Sequence, residues 1–289
     1  RVGGRAIPPA RARLAEAFPD GGERVVVFLH GLMGTEAWWK LGGSGASYGE
    51  RLHDELGWTP VYLRYNSGLH VSQNGRAVAA LLSELVREWP VPVTDIALVG
   101  HSMGGLVARS AGHYGSLAGA VWTRQVRVLA SLGTPHLGAP LEEAAHRAAI
   151  GLSSLPETRM LGSLLRRRSA GIRDLRQGSL VDEDWRDRDP EALRAAAVRE
   201  VPLLAGATHC FVSATITKDP SHPLGRLLGD TLVLVPSATG RGRTRRIPFE
   251  PELGHHVAGA HHLALLCHPE VYERLRAWLP PAREPVVQA

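Results

Sequence analysis

The chain has 289 residues, 44% of them hydrophobic and 21% charged, with a formal net charge of +5. That length suits one large domain, or two small ones, with a well-buried core, and no apolar run reaches the ~18 residues that a membrane-spanning helix needs. The basic excess is modest and spread out, almost all Arg, with Lys only at Lys40 and Lys218. Its clusters, Arg166–Arg168 and Arg241–Arg246, read as solvated faces, so nucleic-acid binding is not expected and transient contact with a lipid interface is the partner they leave open.

In chain order, a short helix is expected over Ala10–Phe18, then a strand over Arg24–Leu29, a β-branched apolar run suited to burial on both faces. Val61–Tyr65 is the next strand, ended by Asn66, Ser67 and Gly68. Between Val71 and Trp89 the apolar residues Val78, Leu81, Leu82, Leu85 and Val86 recur at helical spacing, and Pro90 stops that crossover helix. Ile96–Val99 is a buried strand running into Gly100, a helix begins near Met103, and Val126–Leu132 is another strand.

Strands alternating with helices imply βαβ units: an α/β fold with a mostly parallel sheet covered by helices on both faces. Residues 141–199 are Ala-, Leu- and Arg-rich and read as a helical cap inserted into one domain spanning 1–289, with the Asp-rich stretch 182–187 exposed. The sheet is expected to resume with strands at His209–Thr215 and Thr244–Phe249, before a closing amphipathic helix over Pro269–Leu279.

Cys210 and Cys267 fit one bridge or two buried thiols. No Cys/His spacing among the 14 histidines resembles a zinc site, and no phosphate-binding glycine loop or cofactor motif occurs. No metal or cofactor is expected. With no signal peptide visible in the chain, a soluble protein, cytoplasmic or secreted, is expected, of open oligomeric state.

The chemistry gathers where strands end. Gly100–His101–Ser102–Met103–Gly104 fits G-x-S-x-G between a buried strand and a helix, the context that makes this pattern informative. Small neighbours let the serine sit in a strained strand-to-helix turn, with its hydroxyl at a helix N-terminus that favours negative charge. Acyl transfer also needs two backbone N–H groups for the oxyanion. Met103, just after the serine, offers one. Leu32, in the His30–Gly31–Leu32–Met33–Gly34 turn that ends the first strand, offers the other.

With Gly133–Thr134–Pro135–His136–Leu137–Gly138 following, these motifs resemble the lipase and esterase branch of the α/β-hydrolases. They are similar in particular to bacterial lipases and to GPI inositol-deacylase-like proteins. The resemblance implies a serine carboxylic-ester hydrolase acting on apolar or lipid-like acyl esters. It implies Ser102 as nucleophile, Asp230 in Gly229–Asp230–Thr231–Leu232–Val233 as acid, and His262 in Gly259–Ala260–His261–His262–Leu263 as base.

Asp219 is the alternative acid and His261 the alternative base, while His255 and His256 are expected in an exposed loop and His268 at the start of the last helix. His30, Trp38, His101, His136 and Leu137 are candidates to line the substrate site, and Leu152–Leu165 to cover it as a lid or as a fixed cap. An acyltransferase using the same triad, or a hydrolase-fold ligand-binding protein without turnover, are the competing readings.

Overall fold

The structure, a computed structural model, describes residues 1–41, 45–139, 169–186, 198–219, 222–243 and 245–279. Its frame is one sheet of six parallel strands: β1 (Arg24–Leu29), β2 (Thr59–Leu63), β3 (Asp95–His101), β4 (Val126–Leu132), β5 (Thr208–Thr215) and β6 (Gly254–Ala258). Their spatial order is β2-β1-β3-β4-β5-β6.

Every residue of β1 is buried, and alternate side chains feed two different cores. Val25, Val27 and Leu29 join Ile96, Leu98 and Leu129 on one face, under α3 (Val71–Glu88) and α4 (Met103–Leu117). Val26 and Phe28 join Ala97, Val99, Val128 and Val212 on the other, under α2 (Tyr48–Leu56) and the last helix, Pro269–Trp278. The period-two alternation of a strand makes the continuous apolar run intelligible, because both faces are covered.

Several expectations need correction. β2 begins at Thr59 and ends at Leu63, so Arg64 and Tyr65 belong to the following loop. As an edge strand, β2 tolerates Pro60. Of the strand expected at Thr244–Phe249, Thr244 lies outside the described residues and 245–249 form no strand: among the described residues only Arg246 pairs there, by an isolated bridge to Arg241. Pro248 supplies no N–H, and Ile247 and Phe249 turn into a small core with Phe211. The last strand among the described residues is β6, so His255 and His256 lie in the sheet and not in an exposed loop.

The Asp-rich stretch is not exposed throughout either. Asp182 and Asp184 are buried, Asp182 between Arg76 (2.6 Å) and Arg186 (2.7 Å), while Asp184 accepts from the N–H groups of Leu180 (2.8 Å) and Val181 (3.1 Å). Charge pairing and capping overcome the cost of burying these carboxylates. The helix at Tyr48–Leu56 has no counterpart in the sequence reading; Ser47 and Glu50 form its capping box.

Of the cap expected at 141–199, residues 141–168 and 187–197 lie outside the described residues, and the lid candidate Leu152–Leu165 with them. Between them stands α5 (Ala170–Gln177), capped by Ser169 and ended by Gly178. Cys210 and Cys267 are free thiols, one buried and one exposed. Among the described residues no helix is long and apolar enough to cross a membrane.

Candidate active site

Parallel pairing aligns the C-terminal ends of the strands: Leu29 lies opposite Gly100, and His101 opposite Leu132. The loops that leave this edge carry Ser102, Asp230 and His262. At the end of β3, Ser102 has φ 54° and ψ −122°, a left-handed conformation that costs a non-glycine residue on the order of 1–3 kcal/mol. Close packing imposes it. A Cβ at Gly104 would collide with the Leu29 carbonyl oxygen, and one at Gly100 with the backbone of Gly104. Helix and strand therefore approach to a distance that only glycine permits.

The turn after β1 lies against this serine. A Cβ at Gly31 would stand 3.0 Å from Ser102 Cβ and 3.1 Å from His101 Nδ1. In that turn Gly34 N–H donates to Gly31 O (3.0 Å) and Met33 N–H donates to Ser67 Oγ (2.8 Å). Leu32 N–H and Met103 N–H have no partner among the described residues. Met33 itself has φ 59°, so Ser67 holds a strained residue in place. Next to it Tyr65 stacks on His30 at 4.2 Å, and its hydroxyl donates to the His30 carbonyl.

Ser67 and Tyr65, which brace the turn after β1, are not singled out by the sequence. They stood there as a strand end and its terminator, and nothing local signals a bond across more than 30 residues.

Asp230 and His262 meet across the loops after β5 and β6. His262 Nδ1 and Asp230 Oδ2 are 2.7 Å apart, with His262 3% and Asp230 1% exposed. Asp230 Oδ1 accepts from the N–H groups of Leu232 (3.0 Å) and Val233 (2.8 Å), and its carbonyl accepts from His262 N–H (2.9 Å). Both carboxylate oxygens are thus engaged, which fixes the side chain and assigns the proton on His262 to Nδ1.

His262 Nε2 is buried and unbonded, and no hydrogen bond joins it to Ser102 Oγ among the described residues. The two residues are linked through His101, whose ring lies 4.7 Å from that of His262 and whose Nε2 meets the His262 carbonyl at 3.1 Å. Burial, and next the neighbouring His262, hold His101 well below the ordinary imidazole value, so it stays neutral and donates to that carbonyl.

The alternatives are placed elsewhere. Asp219 is exposed in the loop after β5, while His261 Nδ1 caps the short turn at His262–Leu266 by accepting from Ala264 N–H (3.3 Å). Of the candidate lining residues, His30, His101 and His136 are fully buried. Trp38 is half-buried, folded over Gly34, and Leu137 packs on the Phe211–Phe249 core. Gly133 has φ 57°, and a Cβ there would press on Asp230 Oδ2 at 3.1 Å and His262 Cε1 at 3.2 Å. The first glycine of the Gly-Thr-Pro-His segment therefore leaves room for the acid–imidazole pair. Among the described residues no three His, Cys, Asp or Glu side chains converge as metal ligands.

The family model described as PGAP1-like alpha/beta domain matches residues 20–185, which include Ser102 and stop short of Asp230 and His262. Among solved structures, the chain is similar to the mature form of lipase BlEst2 from Bacillus licheniformis, with a TM-score of 0.58 and 18% identity over 88% of this chain and 91% of that one. It is also similar to phospholipase PlaB from Legionella pneumophila, with a TM-score of 0.54 and 15% identity, over 91% of this chain and 61% of that protein. At such identities the likeness is one of fold. No curated protein matches the chain in sequence.

Proposed function

The chain belongs to the PGAP1-like alpha/beta domain family and has the α/β-hydrolase fold, and on that premise we propose that it is a serine carboxylic-ester hydrolase for apolar or lipid-like acyl esters. The observation that carries this reading is the buried Asp230–His262 pair, with an unbonded Nε2, on the strand edge that presents the strained Ser102.

In this mechanism Ser102 Oγ attacks the ester carbonyl carbon while His262 Nε2 takes the hydroxyl proton. Asp230 keeps the Nδ1–H tautomer and stabilises the imidazolium. The carbonyl oxygen becomes an oxyanion that accepts from Leu32 N–H and Met103 N–H, the second at the positive end of α4. Collapse expels the alcohol, protonated by His262, and leaves the acyl group on Ser102. Water, deprotonated by His262, then releases the carboxylic acid and restores the serine.

Ser67 acts one step back: by engaging Met33 it keeps the first oxyanion turn in shape. An apolar acyl group suits Trp38 beside the oxyanion turn, and the lipase and phospholipase names of the structural neighbours agree with a lipid-like ester.

Hydrolysis of p-nitrophenyl esters from acetate to palmitate, with wild type beside Ser102→Ala, tests the reading. A loss of about 10⁵-fold or more in kcat is expected in the variant, and the chain-length optimum reports the acyl preference. A folded wild type that turns over none of the series, or a variant as active as wild type, rejects the proposal.

A further inference from the structure

Behind the loop that follows β4, the protein buries a positive cluster with no acid in it among the described residues. Arg109, seven residues beyond Ser102 on α4, is 5% exposed. Its Nη2 donates to the Val201 carbonyl at 3.2 Å, and its Nη1 is buried without a partner among the described residues. The guanidinium carbon lies 5.9 Å from the centre of the Phe249 ring. Two histidines meet the same ring, His136 at 4.9 Å and His209 at 6.3 Å. Neither nitrogen of His136 is bonded. His209 reaches the Leu204 carbonyl through Nε2 at 3.3 Å and leaves Nδ1 buried and unbonded.

Burial, and next the like charge of Arg245, lower Arg109 only to about 9, so it carries its charge at neutral pH. Burial, and next Arg109 itself, keep His136 neutral. Arg245 is half-buried on the flank, where Asp184 and Glu200 act on it. Asp184 is already taken by the N–H groups of Leu180, Val181 and Arg199.

A guanidinium withdrawn from water without a counter-charge costs several kcal/mol, and native proteins rarely leave such donors orphaned. Here one cation and one neutral imidazole with an N–H to place, that of His136, meet one aromatic ring, beside His209, whose single N–H goes to the Leu204 carbonyl. We propose that Arg109 and His136, with His209 packed on the same ring, form a binding site for a small monovalent anion of halide size beside Phe249. One negative charge balances the one fixed positive charge of the trio; a divalent anion would bury an excess. The separate N–H donors suit a spherical ion, which asks for no particular direction.

The site is apart from the Ser102 chemistry but shares its supports. α4 carries Arg109 and starts directly after Ser102, and the loop after β4 carries both Gly133 and His136. A bound anion ties that helix to that loop.

The test is thermal unfolding of the whole chain in sodium bromide against sodium gluconate at equal ionic strength, with a bromide-soaked crystal read by anomalous scattering. A saturable rise in Tm of about 5 °C is expected at one hundred times Kd. It should vanish in Arg109→Met, which keeps the length and removes the orphan charge. His136→Phe should weaken bromide while folding as wild type, and it serves alone if the Arg109 variant does not fold. An anomalous peak in contact with Arg109 and His136 completes the case. Equal bromide effects in wild type and variants, absence of the peak, or a carboxylate of the chain itself paired with Arg109 overturns the proposal.

Discussion

Around Ser102 the chain is shaped by what cannot fit, whereas around Asp230 and His262 it is shaped by what bonds. The serine turn is local. It needs a buried strand, a helix and glycines at 100 and 104, where any Cβ would strike backbone. The Asp230–His262 pair joins loops 32 residues apart through two contacts, Nδ1 to Oδ2 and N–H to carbonyl, and two further backbone N–H groups hold the carboxylate. Steric construction is hard to alter without losing the fold. Hydrogen-bonded construction can lose its chemistry and keep its shape.

That difference sets the largest expected effect. Asp230→Asn keeps an oxygen for the Leu232 and Val233 N–H groups but presents an NH₂, or no charge, to His262. The imidazole then loses its tautomer and its support when protonated, and kcat should fall about 10⁴-fold with a small change in Tm. Stopped-time ester assays beside thermal melts measure both. A variant within tenfold of wild type would remove Asp230 from the mechanism.

On the steric side the order of effects reverses. Gly104→Ala drives a methyl group into the Leu29 carbonyl, where backbone cannot yield. A loss of about 3 kcal/mol of stability is expected, near the upper end for overpacking. Urea unfolding should show a lowered midpoint with unchanged slope. An alanine variant as stable as wild type would mean that the contact of β1 with α4 is looser than the structure has it.

The same contrast explains what was legible in the sequence. Val25–Leu29 and Ile96–Val99 read as buried strands because both faces need apolar residues, and the Ser102 turn followed from glycines beside them. Thr244–Phe249 misled because its β-branched and aromatic residues suit a strand, yet Pro248 and the packing of Phe249 on Phe211 take 245–249 out of the sheet. β6 was obscured by His255 and His256, polar residues that an edge strand accommodates through Ser213, Thr215 and Glu270. Asp182 looked exposed because its partner Arg76 lies more than a hundred residues away. Long-range bonds leave no period in a sequence; steric demands and alternation do.

Ser67 lies between the two modes, since one hydrogen bond holds the strained Met33. Removing the hydroxyl in Ser67→Ala orphans the Met33 N–H and lets the turn relax, at roughly 1–3 kcal/mol for a buried group left unpaired. kcat should fall about 10- to 100-fold with little change in KM, because the oxyanion forms only in the transition state. Ser67→Thr, which keeps the hydroxyl, should restore most of the rate. A rise in KM at constant kcat would instead make Ser67 a substrate contact.

The smallest effect concerns the buried histidines at the bonded end of the molecule. Burial lowers His209 to about 4, against the pull of its bond to Leu204 and with a minor push from Arg109. Its folded value thus lies below the ordinary imidazole value of about 6.5. The neutral ring's contribution to stability is fully present above about 6.5 and is lost as the pH falls from there towards 4, because the unfolded chain takes up a proton that the folded one refuses. The urea midpoint should drop between pH 7 and pH 5. In His209→Gln, which keeps a donor for the Leu204 carbonyl, that drop should shrink by on the order of 1 kcal/mol, with the remainder carried by His30, His101 and His136, all lowered by burial. An unchanged pH slope would mean that the His209 ring reaches water as freely in the folded chain as in the unfolded one.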